Sequence, residues 1–396
     1  MKTPALRVAS RWINLAFAAL VAACGGGGGG GSGSGGGNVV APVVTVTLGA
    51  PADQAIFEMG GTITVTARVT VDGAAATDGT AVRFNASSGN FTTANPTTQA
   101  GVATAAFSAT APGRQEITAA VQIGGQTANA VRVVYLRPAP APLELLVPAY
   151  FSPTTTNEWN TLVAGVVAHP RVAVTAILNP DNGILTTANP DYTRVLTQLT
   201  AAGGRAVGYI YTGYGTGSRS MASIKANIDG YLALYGRALV GGFFLDEMAA
   251  AANRLDFYRE IYSYIKSKDA GLRVIGNPGT FSDPAYAAVA DILVTFENSA
   301  AAYADYDPRN GQAWLYQYAN GREGALVHSA PNCAAMQTAV RAAASSRFNA
   351  GPVYVTDLLH NAVTGTGNPW ATLPSYWASL LSTVEAVNRG SAPPAC

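Results

Sequence analysis

The chain has 396 residues, of which 48% are hydrophobic and 12% are charged, and its formal net charge is +1. This composition supports the cores of two domains, and the near balance of charge excludes strong electrostatic capture of nucleic acid or of an anionic membrane. Three cysteines without a Cys-x-x-Cys pair, and three histidines far apart in the sequence, argue against a disulfide scaffold and a metal centre. We therefore expect no metal and no cofactor.

The first 23 residues predict an export signal. Three basic residues, Lys2, Arg7 and Arg11, precede an apolar stretch over residues 12–23 that is too short to span a bilayer comfortably. The stretch ends in Val21-Ala22-Ala23-Cys24, which resembles the bacterial lipobox. That resemblance implies that Cys24 is lipidated and becomes the mature N-terminus. The alternative is an ordinary signal peptide that is cut after Ala23.

The residues after this cysteine predict an anchored protein. Gly25 stands where an acidic residue would favour the inner membrane, so by analogy with lipoprotein sorting we expect an outer-membrane lipoprotein, facing the periplasm or the cell surface. Residues 24–40 form a glycine-rich tether, which is too flexible and too small to build a core. The lipid would be the protein's only contact with the membrane.

Residues 41–136 predict a small β-sandwich, because short β-rich runs such as residues 43–48 and 63–70 are separated by Asp-Gly and Ser-Gly turns. Gly101-Val102-Ala103-Thr104, followed by Pro112-Gly113 and Ile117-Thr118-Ala119, resembles bacterial immunoglobulin-like domains of the invasin type. A spacer role is favoured over a binding role, since no aromatic cluster stands out. Every second residue of the segment 137–142 is proline, which predicts a stiff linker.

Residues 143–396 predict an α/β fold, because short apolar runs alternate with helical patterns. The runs lie at residues 143–150, 172–178, 206–211, 240–245, 273–276, 292–296, 325–328 and 353–356. Helices are predicted at residues 220–235, 254–268, 332–347 and 375–387. This pattern is typical of a (β/α)8 TIM-type barrel, here preceded by the sandwich. A doubly wound open sheet is the alternative, but no G-x-G-x-x-G follows the first strand.

Polar side chains follow the predicted barrel strands at the ends where active sites of such barrels lie. A chain with few charges places Asp246, Glu247 and Glu297 at two of these ends. The other candidates, all for substrate binding, are Tyr150, Asn179, Asp181, Asn182, Tyr209, Tyr211, Tyr214, Asn277 and His328.

Five motifs occur in order along this region. They are Val-Pro-Ala-Tyr at 147–150, Ile-Leu-Asn-Pro-Asp-Asn-Gly at 177–183, Val-Gly-Tyr-Ile-Tyr-Thr-Gly-Tyr-Gly at 207–215, Gly-Phe-Phe-Leu-Asp-Glu at 242–247 and Asn-Pro-Gly at 277–279. The set resembles the spherulation-specific family 4, or spherulin-4-like, proteins. The resemblance implies a (β/α)8 barrel, a glycoside hydrolase activity on galactosaminogalactan, and catalytic roles for Asp246, Glu247 and Glu297.

Glycosidic cleavage generally uses two carboxyl groups that flank the bond. Asp246 and Glu247 are consecutive, so on a regular strand their side chains would point to opposite faces. Glu297 follows a strand two positions further on, and Asp246 with Glu297 is the favoured pair. Glu247 is then a supporting or alternative member. The competing interpretation is that Asp246 and Glu247 are solvated carboxylates near a helix N-cap.

The remaining candidates have open alternatives. The four tyrosines could stack on sugar rings or could simply close the barrel mouth. Asn179, Asp181 and Asn182 could bind sugar hydroxyls or form a turn, and His328 could bind substrate or be a rim residue. In an oxidising compartment Cys333 and Cys396 could pair.

The predicted function is that of a surface-anchored, endo-acting glycoside hydrolase that cleaves an amino-sugar polysaccharide. We expect a monomer whose partner is this polysaccharide, without nucleic acid. A lectin-like adhesion module is the alternative, since binding needs the tyrosines and asparagines but not the acids. A metal-dependent polysaccharide deacetylase is disfavoured by the small number of histidines.

Overall fold

The computed structural model describes residues 41–184, 186–361 and 363–396. The predicted export signal, Cys24 and the whole of the tether lie outside the described residues. Within the described part of the chain, no helix has the length and apolar character needed to cross a bilayer.

The N-terminal part consists of two β-sheets packed on a common core. Its strands are β1 (Val44–Ala50), β2 (Ala55–Glu58), β3 (Ile63–Val71), β4 (Ala74–Ala75), β5 (Arg83–Ala86), β6 (Asn90–Phe91), β7 (Val102–Ser108), β8 (Gly113–Ile123) and β9 (Gln126–Arg137). One sheet has the order β1-β3-β7-β6, with β4 beside β3, and the other has the order β2-β9-β8-β5. Alternate residues of β3, from Ile63 to Val69, are buried, as expected for a strand with one face in a core. The immunoglobulin-like assignment stays a prediction.

The C-terminal part is a closed barrel of parallel strands, which confirms the predicted fold class. The strands are β10 (Glu144–Ala149), β11 (Ala173–Leu178), β12 (Arg205–Tyr211), β13 (Gly242–Asp246), β14 (Arg273–Gly276), β15 (Ile292–Ser299), β16 (Glu323–His328) and β17 (Pro352–Val355). The helices are α1 (Glu158–Ala168), α2 (Pro190–Ala201), α3 (Met221–Leu239), α4 (Leu255–Lys268), α5 (Ala300–Ala304), α6 (Cys333–Ala344) and α7 (Trp377–Asn388). Every strand except β15 ends close to its predicted end, because burial on both faces makes each strand a continuous apolar run.

One strand differs from the prediction in a way that positions the site. Strand β15 continues past Phe296 to Ser299, with a register shift between Val294 and Phe296. Glu297 therefore lies within a strand, paired with Leu326, instead of in the loop that follows it. Only a short 3₁₀ turn, Pro284–Ala288, stands between β14 and β15.

The segment predicted as a stiff linker is hydrogen-bonded to the barrel. Arg137 is the last residue of β9, and its buried side chain donates to Glu58 at 3.0 Å and to Asn349 at 3.3 Å. The backbone of Ala141 exchanges two hydrogen bonds with the Asn320 amide, at 2.7 and 2.9 Å. Buried polar groups satisfied in this way fix the position of a segment, so the proline-rich stretch does not act as an independent spacer.

A disulfide joins the start of α6 to the end of the chain. Cys333 and Cys396 form an S–S bond of 2.05 Å, with their Cα atoms 5.7 Å apart. The bond closes a segment with a sequence separation of 63 residues, and it holds the C-terminal tail against the barrel.

Candidate active site

An open cleft of about 530 Å³ lies at the carboxyl ends of the barrel strands. Its lining residues are Tyr214, Asp246, Glu247, Asn277, Pro278, Gly279, Glu297, Asn298, His328, His360, Gly367, Asn368, Pro369 and Trp370. All three predicted carboxylates thus face one space, together with three of the nine predicted substrate-binding residues, Tyr214, Asn277 and His328. This is the end at which barrels of this type carry their active sites.

The backbone at Glu247 explains why consecutive carboxylates share the cleft. Strand β13 ends at Asp246, and Glu247 adopts a left-handed conformation with φ of 48°. Its carbonyl oxygen accepts hydrogen bonds from the Tyr214 amide at 2.7 Å and the Thr212 hydroxyl at 2.8 Å. A non-glycine residue is held in this region only when its surroundings enforce it. The break in strand geometry removes the alternation that would have separated the two side chains.

The Asn277 side chain bridges the favoured pair of carboxylates. Its Nδ2 donates to Asp246 Oδ1 at 2.8 Å and to Glu297 Oε2 at 2.6 Å. Its Oδ1 accepts the Gly279 backbone N–H at 3.1 Å, which fixes the orientation of the amide. Both amide hydrogens are therefore committed to the acids, and the side chain is buried. Asn277 therefore bridges the two carboxyl groups in this arrangement, and its role in substrate binding stays a prediction.

The two bridged carboxyl groups differ in their surroundings. Asp246 Oδ2 also accepts a hydrogen bond from the Tyr209 hydroxyl at 2.7 Å, so both of its oxygens are acceptors. Burial, and next the charge of Asp246, raise the pKa of Glu297 to about 7, against smaller opposing effects of hydrogen bonds from Asn277 and Trp370. Burial and Asp246 also raise the pKa of Glu247. Carboxyl groups with such divergent environments are suited to separate acid and base roles.

The predicted tyrosines occupy different places. Tyr214 lines the cleft and is half exposed, as a sugar-stacking ring would be. Tyr209 is buried behind Asp246, and its ring meets that of Tyr150 edge to face with centroids 5.6 Å apart. Tyr211 is partly buried, with the Arg219 guanidinium 5.8 Å from its ring centroid. These last three tyrosines are not among the residues that line the cleft, and Tyr209 donates a hydrogen bond to Asp246 from behind its wall.

One wall of the cleft is built by a loop that the sequence analysis did not select. His360 and Trp370 come from the segment between β17 and α7, and their rings lie 5.7 and 6.4 Å from that of His328. Burial, and next His360, lower the pKa of His328. The signal that could have indicated these residues is position, since the loop follows the last barrel strand as other site loops follow theirs.

The Asn-Pro-Asp-Asn-Gly segment does not contribute to the cleft lining. Asp181 and Asn182 are exposed in a 3₁₀ turn over residues 181–183, and both have positive φ. Asn179 is partly buried, and its Oδ1 accepts no hydrogen bond from a described residue. This geometry matches the turn interpretation of the motif.

The described part of the chain shows no set of side chains arranged as ligands of a metal ion. No group of three or more His, Cys, Asp or Glu side chains is arranged there to hold an ion. The carboxyl groups of the cleft belong to the residue types that serve as proton donors, proton acceptors and nucleophiles in enzymes.

The barrel and its cleft define a protein with a glycoside-hydrolase-like fold. The chain belongs to the spherulation-specific family 4, whose sequence profile matches residues 144–384. Spherulin-4 of Physarum polycephalum is 33% identical over 256 residues, which cover 62% of this chain and 71% of spherulin-4. The crystal structure of Aspergillus clavatus Sph3 in complex with GalNAc is similar with a TM-score of 0.51 and 25% identity, over 62% of this chain and 98% of the Sph3 chain.

Proposed function

We propose that this protein is an exported, surface-anchored glycoside hydrolase that cleaves an amino-sugar polysaccharide within the chain. The observation that carries the proposal is the Asn277 bridge, which holds Asp246 and Glu297 together at the mouth of the barrel. Asp246 Oδ1 and Glu297 Oε2 both accept from Asn277 Nδ2, so these two oxygens cannot be farther apart than the combined length of the two hydrogen bonds, 2.8 and 2.6 Å. For these two bridged oxygens the limit agrees with the separation of about 5 Å between the carboxyl groups of retaining glycosidases, and it is shorter than the roughly 6.5–9.5 Å of inverting enzymes.

The surroundings of the two carboxyl groups support a separate role for each. Both oxygens of Asp246 accept hydrogen bonds, so it is the carboxylate that attacks the anomeric carbon. Glu297 is the buried carboxyl group whose pKa is raised to about 7, so it is the group that carries the proton for the leaving oxygen. In the first step Glu297 protonates the leaving oxygen as Asp246 bonds to carbon. In the second step a water gives its proton to Glu297, bonds to the same carbon and releases Asp246.

Substrate class follows from the similarity to Sph3 and from the cleft itself. Sph3 was crystallised with GalNAc, and a galactosaminogalactan-like polymer of α-1,4-linked galactosamine and its N-acetyl form is the substrate we propose. The cleft is open to solvent, in agreement with the proposed endo-cleavage of a polymer. Tyr214 offers an exposed ring for packing against a sugar face.

The direct test incubates the purified protein with partially deacetylated galactosaminogalactan and analyses the products by mass spectrometry. A ladder of hexosamine oligomers is expected. Intact polymer that co-sediments with the protein would instead support the lectin-like alternative. Intact polymer without binding would contradict the proposed substrate, and a panel of other amino-sugar polymers would then follow.

The activity should decrease above neutral pH. Glu297 has a pKa of about 7, and it must be protonated to donate to the leaving oxygen. We therefore expect kcat/KM to fall about tenfold for each pH unit above this value, because kcat/KM reports ionisation of the free enzyme. Initial rates over a pH series measure it. An alkaline limb near the ordinary pKa of a glutamic acid, about 4.3, would rule out Glu297 as the acid.

Removal of the Asn277 bridge should affect catalysis more than binding. In Asn277→Ala the carboxyl groups lose their common donor, and we expect kcat to fall by about 10- to 100-fold with KM nearly unchanged. The alkaline limb should also move to higher pH, because the Asn277 hydrogen bond lowers the pKa of Glu297. Asn298→Ala is the matched control, since Asn298 lines the cleft without bonding either acid. An unshifted limb in Asn277→Ala would contradict the positioning role.

A further inference from the structure

A second hollow, of about 480 Å³, lies at the end of the barrel opposite the cleft. It is bordered by the first residues of β12 and β14, Arg205 and Arg273, which mark the amino-terminal ends of those strands. Arg237 and Lys266 also line it, whereas Asp291 is the one carboxylate among its described lining residues. The hollow is therefore rich in cations in a chain that carries few charges.

The carboxylates around this hollow are already saturated. Glu144 accepts two hydrogen bonds from Arg273, at 2.7 and 2.8 Å, and a third from the Thr175 hydroxyl. Asp291 accepts from Lys266 Nζ at 2.7 Å, and from the Val274 N–H at 2.8 Å. Arg273 and Lys266 are thus neutralised by partners that have little capacity for further donors.

Arg205 and Arg237 keep unused donors. Arg237 Nε donates to Asp269 at 3.0 Å, while its two terminal nitrogens make no hydrogen bond with a described residue. Arg205 is exposed and makes neither an ion pair nor a side-chain hydrogen bond within the described part of the chain. A Cβ at Gly271 would lie 3.1 Å from Arg237 Nη2, so glycine at that position preserves the space in which the guanidinium lies.

We propose that this hollow is a binding site for an oxyanion, a carboxylate or phosphate carried by a sugar-sized ligand, held by Arg205 and Arg237. The planar fork of a guanidinium matches two oxygens of either group, and such charge-assisted pairs are the strong hydrogen bonds of proteins. The volume falls in the range of small-ligand pockets, about 300–1,000 Å³. This site is independent of the glycosidase proposal, because none of its lining residues reaches the cleft.

The test titrates the protein with glucuronate, with glucose 6-phosphate and with glucose, by calorimetry at low salt. At least one of the two acids is expected to bind, and glucose is not; the acid that binds identifies the group. Arg205→Gln should weaken the binding about tenfold or more. Because Arg205 has no described partner to lose, this variant should fold as the wild type does. Arg83→Gln, an exposed arginine of the sandwich, is the matched control and should bind normally.

The cleft provides the second control. Glu297→Gln should bind the acid as wild type does, and Arg237→Gln should bind it weakly. Failure of both acids to bind, or binding that is unchanged in Arg205→Gln, would overturn the proposal. Binding that is lost in Glu297→Gln but retained in Arg205→Gln would place the ligand in the cleft and would overturn it as well.

Discussion

Asp246→Asn and Glu297→Gln are each expected to lower kcat on the polymer by about three orders of magnitude, with polymer affinity within a few-fold of wild type. Asparagine at 246 cannot supply a charged nucleophile, and glutamine at 297 cannot give up a proton to the leaving oxygen. Both replacements preserve size and an acceptor oxygen for the Asn277 bridge, so the cleft should retain its shape. Turnover by oligosaccharide release and affinity by co-sedimentation measure the two effects separately.

The two variants should differ when the leaving group changes. A short amino-sugar glycoside of nitrophenol needs little protonation to depart, so Glu297→Gln should recover much of its rate on it, whereas Asp246→Asn should remain inactive. Asp181→Asn is the matched control for charge removal, because that aspartate is exposed outside the cleft lining. Wild-type turnover in both cleft variants would remove these residues from the mechanism. Equal loss of activity on both substrates would contradict the division of roles.

The barrel could be predicted from the sequence because its strands are nearly continuous apolar runs. Burial on both faces leaves a strong pattern, and polar residues at the end of each run indicate the rim of the barrel. The same pattern indicates Asp246, Glu247 and Glu297 from the sequence alone. The pattern of residue types does not reveal the Asn277 bridge. Its two hydrogen bonds join a residue at the end of β14 to residues of β13 and β15, and they depend on the register of these strands.

Local backbone conformation is the other feature of the site that the sequence pattern does not predict. Regular strand geometry predicts that Asp246 and Glu247 diverge, yet the positive φ of Glu247 brings both into the cleft. The extension of β15 past its register shift likewise places Glu297 inside a strand. His360 and Trp370 lie in a loop without periodicity, so no pattern selected them. In each case the deviation from regular geometry occurs at the site, where strained or irregular backbone is commonly concentrated.

Glu323→Gln is expected to stabilise the protein at alkaline pH but not at acid pH. Glu323 is the first residue of β16, and it is 2% exposed. Its Oε1 accepts hydrogen bonds from Thr295 and Tyr306, its Oε2 has no described partner, and no cation pairs with it there. Burial raises its pKa to about 8, so the folded protein holds a neutral carboxyl group at neutral pH.

The sign of the effect follows from linkage. The folded pKa of Glu323 lies above the unfolded value of about 4.3, so its contribution to stability is complete below that pH and is lost as pH rises toward 8. The loss is about 1.4 kcal/mol per pH unit, or roughly 5 kcal/mol at most over the whole window. Glutamine does not ionise, so the difference in unfolding free energy between Glu323→Gln and wild type should shift in favour of the variant across this window.

Urea unfolding of both proteins in steps from about pH 5 to pH 9 measures this difference, provided that the slopes agree. Effects of the other titrating groups cancel in the comparison, since both proteins share them. Glu260→Gln, which removes an exposed carboxylate on α4, is the matched control, and its stability difference should stay nearly constant with pH. A pH-independent difference for Glu323→Gln would mean that Glu323 ionises at an ordinary pKa. The buried Glu323 side chain would then not lower the stability of the protein at alkaline pH.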